Sequence, residues 1–343
     1  MSVEKLATEK TAAAKPRQIG RRAAKPLRQA AFLIGTYFSG STLLGNCLNA
    51  HPSIFFAGEI DRLEAFRREP DWTHRRERGC RLCSTQAEHD CPAWPSEFLE
   101  KIRALDDISA YRAVIERNEA PILLDGSKRI DWLNSLYDSG LKSNVKAIIC
   151  TRTPFSFAKS SDGGALRLSP MAAAASWRDF YLHTLRSLAG RGIPSLVVRY
   201  EDFAFRPEPS IRRVCEFLNI PFDPAMLTYW QVPSHAVGGN GGAYLRDPNF
   251  TPSALDKAEE WKINYFSNKP FGGWIEDKWI YGLTDEAVRQ IMSVPMLNDV
   301  ASLFGYDLAW FLMERTRILT ENKLRQVAQA LTAQGPASHV KAA

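Results

Sequence analysis

The feature that most constrains the fold is a glycine-bearing turn between a short apolar run and an amphipathic segment. The apolar run covers residues 29–34, and the turn extends from Gly35 to Gly40, where a helical pattern begins at Ser41. A short apolar run that stops at glycine predicts a buried strand, and glycine allows the backbone angles that a tight turn requires. The sequence therefore predicts a strand, a tight loop and a helix in direct succession.

Further apolar runs alternate with helical patterns along the chain. The runs are short, rich in Ile, Leu or Val, and bounded by polar residues; they cover residues 54–56, 121–124, 145–150 and 195–200. The helical patterns cover residues 41–49, 95–117, 171–188 and 207–218. Alternation of this kind indicates an α/β fold with a parallel sheet flanked by helices. Because the first strand leads into a glycine-bearing loop, we predict a P-loop-type sheet.

Three irregular or appended regions complete the predicted organisation. A Cys-rich insert covers residues 69–95, and a lid-like loop rich in Gly, Pro and Asn covers residues 231–275. Both lie within an α/β domain that is predicted to cover residues 29–310. Long irregular segments within a domain are often binding loops. Residues 311–343 are predicted to form a C-terminal amphipathic helix and tail, which packs on its own domain or across a homodimer.

The basic character of the chain is confined to its first residues. Residues 1–28 carry eight Lys or Arg against two Glu, which accounts for the formal net charge of +6. With few large apolar residues, this segment is predicted to be a disordered, solubilising tail; a transit peptide or a polyanion-binding arm is the alternative. The neutral remainder makes nucleic acid an unlikely partner. No apolar run is long enough to span a membrane, so we expect a soluble, cytoplasmic protein.

The loop from Gly35 to Thr42 has the chemistry of a phosphate cradle. Its amides and the helix N-terminus attract an anion, and Ser41 and Thr42 add hydroxyl donors. The Gly-x4-Gly spacing is that of a nucleotide triphosphate loop, but Ser41 stands where that motif requires lysine, which disfavours an ATP or GTP user. A turn that merely caps a helix is the alternative, so other motifs must decide between the two.

Those other motifs form an ordered series from about residue 30 to 307. Its members are His51-Pro52, Asp125-Gly126-Ser127-Lys128, Thr151-Arg152-Thr153-Pro154 with Ser160, Arg199-Tyr200-Glu201-Asp202, His235 to Asn240, and Asp277-Lys278-Trp279. This series resembles the PAPS-dependent sulfotransferase family. The resemblance implies the sulfotransferase-like fold. It also implies 3′-phosphoadenosine 5′-phosphosulfate (PAPS) as donor, PAP (3′-phosphoadenosine 5′-phosphate) as product, and no required metal.

The resemblance also implies which residues bind the nucleotide. The 5′-phosphosulfate contacts fall on Ser39, Gly40, Ser41 and Thr42, and the 3′-phosphate contacts fall on Arg152 and Ser160. An ordinary strand-end ion pair is the alternative role of the arginine. The glycine-rich lid places Asn240 over the nucleotide, and Arg246 is a further 3′-phosphate contact.

One position departs from the family pattern. Members usually carry Lys or Arg immediately before the Ser-Gly-Ser/Thr of the first loop, and this chain has Phe38 there. Lys128, Arg129 or Lys159 could supply the missing cation. We favour Lys128, because it follows a strand that ends beside the loop; loss of activity is the alternative.

Transfer to a hydroxyl or amine is faster when a general base accepts the proton of that group. Glu59 is the first candidate, because it follows the short strand at residues 54–56 and because several relatives carry an active-site acid at the same position. Capping of the following helix is its alternative role. His235 in the glycine-rich loop is the second candidate base.

The Cys-rich insert contains zinc-type ligands. Cys80, Cys83, His89 and Cys91 are the residue types that bind zinc, but standard structural sites carry two well-separated pairs and this cluster is compressed. We therefore predict no metal site and an acceptor-side insert, with zinc as the alternative. The remaining cysteines, Cys47, Cys150 and Cys215, are predicted to be reduced core residues.

The predicted function is transfer of a sulfuryl group from PAPS to a small-molecule, carbohydrate or lipid acceptor. The competing hypotheses are a P-loop nucleotide or small-molecule kinase, against which the missing loop lysine argues, and a non-catalytic polyanion-binding protein, against which the neutral body argues.

Overall fold

The structure is a computed structural model. It describes residues 29–62, 80, 82–83, 91–162, 166–248 and 271–333. The predicted basic tail at residues 1–28 lies outside the described residues, as does most of the Cys-rich insert. The lid-like loop is described up to residue 248 and again from residue 271.

A five-stranded parallel sheet forms the centre of the molecule, which confirms the predicted α/β class. The strands are β1 Gln29–Ile34, β2 Ile54–Gly58, β3 Ile122–Lys128, β4 Val145–Thr151 and β5 Ser195–Arg199. Their order across the sheet is β2-β3-β1-β4-β5. The first strand is therefore central, with Ile34 opposite Lys128 on one side and opposite Ile149 on the other.

Helices connect the strands and cover the sheet. Within the described residues the α-helices are α1 Ser41–Asn49, α2 Ser96–Arg103, α3 Asp107–Arg117, α4 Ile130–Asp138, α5 Pro154–Ser161, α6 Pro170–Gly190, α7 Tyr200–Phe205, α8 Pro207–Leu218, α9 Lys278–Gly282, α10 Asp285–Met292, α11 Leu297–Ser302 and α12 Leu308–Ala333. Short 3-10 segments lie at Ile60–Arg62 and Gly241–Ala243, and a longer one, kinked at Thr228, covers Pro224–Gln231.

The alternation of side chains along β1 separates two buried clusters. Phe32 and Ile34 belong to the larger cluster, which includes residues of α2 to α6 and of the four C-terminal helices. Leu33 belongs to the smaller cluster, which includes α1 and α8. Because successive side chains of a strand point to opposite faces, a wholly apolar β1 is buried on both sides.

One predicted helix is wrong in extent. The pattern over residues 95–117 predicted a single helix, but the structure divides it into α2 and α3. The second helix begins after Asp106, whose side chain accepts a hydrogen bond from the Ser109 amide at 3.0 Å. A side-chain acceptor at this position satisfies a first-turn amide, so Asp106 starts a new helix rather than continuing the old one.

The C-terminal helix α12 begins at Leu308, three residues before the predicted boundary. Phe311, Leu312, Ile318 and Leu319 pack against the larger cluster. Further along the helix, Leu324 and Val327 are exposed. The predicted apolar stripe therefore packs on its own domain over the first half of the helix. No helix in the described part of the chain is long and apolar enough to cross a membrane.

A buried arginine attaches α12 to the helices before it. Arg315 donates from Nη2 to the Leu283 carbonyl at 2.7 Å and from Nε to the Ile280 carbonyl at 3.2 Å, and Nη1 pairs with Asp285 at 2.7 Å. We predict that Arg315→Ala lowers the free energy of unfolding by about 2–4 kcal/mol, because two buried carbonyls lose their donor.

The matched control is Arg317→Ala on the same helix. Arg317 is exposed and pairs only with Glu314 and Glu321, so its loss should cost less than about 1 kcal/mol. Urea denaturation of both variants measures the difference. Equal losses would contradict a role of Arg315 in attaching the helix.

Candidate active site

The loop between β1 and α1 is held by backbone contacts with both neighbouring strands. The Gly35 amide donates to the Lys128 carbonyl at 3.1 Å, and a Cβ at Gly35 would lie 2.4 Å from the Cys150 carbonyl oxygen. Gly40 has φ +80° and precedes α1, and a Cβ there would lie 2.3 Å from the Tyr200 ring. A side chain is excluded at Gly35 by the available space, and at Gly40 by both the space and the backbone angle.

The loop presents hydroxyl groups at the N-terminus of α1. Ser39, Ser41 and Thr42 are all buried, and Gly40 provides no side-chain cap for the helix. The Ser39 hydroxyl is buried and has no hydrogen-bond partner among the described residues. A buried hydroxyl without a partner is costly, so this arrangement fits a loop whose partner is an anion.

Arg152 lies beside this loop at the end of β4. Its Nη1 donates to the Phe38 carbonyl at 2.8 Å and to the Ser160 hydroxyl at 3.3 Å. The spacing from Arg152 to Ser160 places the serine on α5, two turns beyond the strand end. The Arg152 Nε has no hydrogen-bond partner among the described residues. The structure thus brings Arg152, Ser160 and the loop together.

Two aromatic residues of α6 hold this strand end in place. Trp177 donates from Nε1 to the Arg152 carbonyl at 2.9 Å, and the Tyr181 hydroxyl donates to the Cys150 carbonyl at 2.8 Å. Burial raises the pKa of Tyr181 to about 12, so its hydroxyl keeps its proton. Both rings are fully buried, so the backbone that carries Arg152 is rigidly supported.

A carboxylate that the sequence analysis did not identify neutralises Arg152. Glu276 lies 2.9 Å from Nη2, and both side chains are less than a tenth exposed. The Tyr200 ring stacks on the same guanidinium, with 5.2 Å from Cζ to the ring centroid. The only sequence signal for Glu276 was its position immediately before the Asp277-Lys278-Trp279 motif.

The two proposed catalytic groups, Glu59 and Lys128, form an ion pair. Lys128 Nζ donates to Glu59 Oε1, and both side chains are largely buried. Lys128 has φ +68°, an unusual angle for a side-chain-bearing residue, at the point where the β1–β3 register shifts. Its carbonyl accepts from Gly35 and its ammonium reaches Glu59, so one residue contacts both the loop and the acid.

The residues before Lys128 form a buried polar turn. Asp125 accepts hydrogen bonds from the Ser127 amide at 2.8 Å and from Trp132 Nε1 at 2.9 Å. Burial raises the pKa of Asp125 to about 7, despite these donors. The Ser127 hydroxyl accepts in turn from the Asp61 amide at 3.0 Å. Burial raises the pKa of Asp61 as well, and the nearby Glu59 carboxylate adds to the effect.

Glu201 anchors the strand end on the other side of Arg152. It accepts from the Thr153 amide at 2.9 Å and from the Tyr306 hydroxyl at 2.9 Å. Burial raises the pKa of Glu201, and these two donors together with the Arg152 charge oppose the rise. The Glu201 carboxylate therefore holds the start of α5 rather than facing the loop.

The segment from His235 to Asn240 lies on the end of β2. Val237 donates to the Ala57 carbonyl at 2.9 Å and accepts from the Glu59 amide at 2.7 Å. The Asn240 amide donates to the Thr42 hydroxyl at 3.3 Å, which brings this segment to the phosphate loop. The Asn240 side chain caps the following turn by accepting from the Gly242 amide at 2.9 Å.

Two predicted site residues have other partners. Arg246 stacks on Trp230, with 5.0 Å from Cζ to the ring centroid. His235, the second candidate base, points Nδ1 at the thiols of Cys80, Cys83 and Cys91. The predicted fourth member of that cluster, His89, lies outside the described residues. His235 is 144 residues beyond Cys91, and the sequence pattern did not connect them.

A separate cleft of about 640 Å³ opens at the opposite edge of the sheet from Gly35 and Arg152, where the strands begin. Its lining includes Gln29, Ile122 and Val145, which begin or adjoin the starts of their strands. Ligands of open parallel sheets bind outside the carboxyl ends of the strands, where Gly35 and Arg152 lie. The site with convergent polar groups is therefore at the other edge from this cleft.

Comparisons with known proteins identify a family for this chain. Residues 30–224, more than half of the chain, match the model of a family described as Sulfotransferase family. A search of curated proteins found no match.

A solved structure of another protein shows the same fold. The sulfotransferase domain of the Synechococcus PCC 7002 olefin synthase is 21% identical with a TM-score of 0.52, covering 86% of this chain and 98% of that domain. The sulfotransferase domain of the curacin biosynthetic pathway is 18% identical with a TM-score of 0.46, covering 82% and 99%.

Proposed function

Because the chain belongs to the sulfotransferase family, we propose that it transfers a sulfuryl group from PAPS to a hydroxyl or amine of a small-molecule, carbohydrate or lipid acceptor. The observation that carries the choice of donor is a pair of buried groups without partners among the described residues. These groups are Ser39 Oγ in the loop and Arg152 Nε beside it. Both can donate to an anion bound at the carboxyl ends of β1 and β4.

The arrangement fits a nucleotide with phosphates at two positions. The loop amides and the hydroxyls of Ser39, Ser41 and Thr42 would hold the 5′-phosphosulfate at the N-terminus of α1. Arg152 and Ser160, already 3.3 Å apart, would hold the 3′-phosphate. With Ser41 in the place of the loop lysine, the cradle lacks the cation that a γ-phosphate requires.

PAPS supplies the sulfuryl group, which is transferred by in-line displacement, and positioning with charge neutralisation carries much of such catalysis. The Lys128 ammonium would neutralise charge on the leaving phosphate, in place of the cation that Phe38 does not provide. The Glu59 carboxylate would accept the proton of the acceptor. Lys128 must move from Glu59 toward the donor for both groups to act, so the ion pair is a resting arrangement.

We predict that PAP binds this protein and raises its melting midpoint, while ATP with Mg²⁺ raises it much less. Arg152→Ala should weaken PAP binding by about 10- to 150-fold, since a charge-assisted hydrogen bond contributes about 1.5–3 kcal/mol. Arg212→Ala is the matched control, because Arg212 is exposed and pairs with Glu208 on α8. Titration calorimetry measures both constants. Stabilisation by ATP equal to that by PAP would favour the kinase hypothesis instead.

Glu276 should limit nucleotide affinity, because its carboxylate must give up Arg152 to a phosphate. We predict that Glu276→Gln binds PAP about tenfold more tightly while the nucleotide-free variant melts at a lower temperature, since Arg152 then lacks its buried counter-charge. Glu276→Asp keeps the charge and should remain closer to the wild type. Unchanged or weaker PAP binding by the Gln variant would show that Glu276 does not compete with phosphate.

Substitutions of the two residues of the ion pair should have different effects. Glu59→Gln should lower turnover by about 10²–10⁴-fold with almost unchanged PAPS affinity, because an amide cannot accept the proton. Lys128→Ala should lower turnover and also weaken PAPS binding, because a cation near phosphate acts in both the ground state and the transition state.

The assay compares turnover with PAPS dissociation constants for each variant. Lys142→Ala is the control, since Lys142 is exposed and lines the cleft at the opposite edge of the sheet. Normal turnover of Glu59→Gln would show that another residue is the general base. Normal turnover of Lys128→Ala would show that another group supplies the cation that Phe38 does not provide.

A further inference from the structure

Four side chains from distant parts of the chain converge beside the end of β2. Three are the thiols of Cys80, Cys83 and Cys91, and the fourth is the imidazole of His235. Their ligand atoms all lie within 4.8 Å of one another. The three cysteines are free thiols, and Cys80 and Cys91 are buried. Among the described residues, this cluster of metal-binding side chains has no role in the proposed sulfuryl transfer.

The distances from the His235 nitrogen to the three sulfurs match those of a tetrahedral zinc site. The distances from His235 Nδ1 to the sulfurs are 3.4 Å for Cys83, 3.6 Å for Cys80 and 3.7 Å for Cys91. Bond lengths of about 2.3 Å for Zn–S and about 2.0–2.1 Å for Zn–N, at a tetrahedral angle, place sulfur and nitrogen about 3.6 Å apart. All three distances lie close to that value, so the imidazole nitrogen stands at the zinc-site distance from each of the three sulfurs.

The surrounding groups hold the imidazole toward the thiols. Trp94 donates from Nε1 to the His235 carbonyl at 2.7 Å, and its own amide donates to the Cys91 carbonyl at 3.0 Å. The Trp94 ring is buried and packs between Phe55 and Phe98. One rigid side chain therefore fixes both backbone segments, which orients the ligands before an ion arrives.

We propose that Cys80, Cys83, Cys91 and His235 bind one structural Zn²⁺ ion. Each thiol releases its proton to solvent as its sulfur binds the ion, and His235 binds through unprotonated Nδ1. The protein provides four ligands, so no position is left open for a substrate or an activated water. The site therefore stabilises structure and takes no part in the reaction. This inference revises the expectation from the sequence that the cluster binds no metal.

The ion would attach the Cys-rich insert to the segment that borders the active site. Cys80 forms a backbone bridge with Val237, and Val237 is hydrogen-bonded to Ala57 on β2 and to Glu59 directly after it. Two residues after Val237, a Cβ at Gly239 would lie 2.9 Å from the Thr42 side chain. A metal at His235 thus holds the backbone beside both Glu59 and the phosphate loop.

The test measures metal content of the full chain purified without a polyhistidine tag. Wild-type protein from zinc-supplemented cells should contain about one zinc per chain by mass spectrometry. Protein loaded with Co²⁺ should show the intense visible bands of tetrahedral cobalt together with sulfur-to-cobalt charge transfer. This spectrum needs no variant, so the proposal remains testable even if the substitutions prevent folding.

Variants then assign the ligands. Cys91→Ser and His235→Ala should lose their zinc on dialysis, while the matched controls Cys215→Ala and His183→Ala should retain it. Cys215 is a buried free cysteine on α8, and His183 is an exposed histidine that pairs with Asp131. Three results would overturn the proposal: wild-type protein without zinc, cobalt protein without tetrahedral bands, or a disulfide between any two of the three cysteines.

Discussion

The site depends on the central position of β1, with parallel neighbours on both sides. The register that places Ile34 beside Lys128 and Ile149 also places the three strand ends together. The loop after β1 is consequently hydrogen-bonded to both neighbouring strands. The Gly35 amide donates to the Lys128 carbonyl of β3, and Arg152, at the end of β4, donates to the Phe38 carbonyl. The chain continues from β1 toward β2 on one side, and from β4 toward β5 on the other, so a crevice opens between β1 and β4.

Close backbone contact extends this constraint to the glycine-rich segment. Gly58 ends β2 with φ +78°, and a Cβ there would lie 2.3 Å from the Val237 carbonyl oxygen. Only glycine allows the two backbones to approach this closely. Since Val237 also bonds to Glu59, the position of the proposed base and the position of the segment from His235 to Asn240 are set together. The proposed zinc ion would act at the same junction, by holding His235 against the insert.

Charge pairing prepares the site for an anion while keeping its cations neutralised. Arg152 is paired with Glu276 and Lys128 with Glu59, in surroundings where an unpaired charge would be costly. A bound phosphate would replace a carboxylate at Arg152, and a sulfuryl donor would compete with Glu59 for Lys128. In the proposed reaction, affinity would be the difference between two ion pairs rather than the full strength of one, and the Glu59 carboxylate released from Lys128 would become available to the acceptor.

The sequence alone predicted the local elements and the loop. The limits of β1, α1 and α8 follow from short apolar runs, glycine and helical spacing, which are local signals. The motif at Arg152 and Ser160 came from the resemblance to the family. Local patterns did not reveal the break at Asp106, where one side-chain hydrogen bond overrides a continuous helical pattern. Only the tertiary structure could pair Glu59 with Lys128, place Glu276 on Arg152 and bring His235 to Cys80, Cys83 and Cys91. Each of these contacts joins residues 69 or more positions apart, and such contacts are decided by strand order and backbone packing, which leave no periodic trace in the sequence.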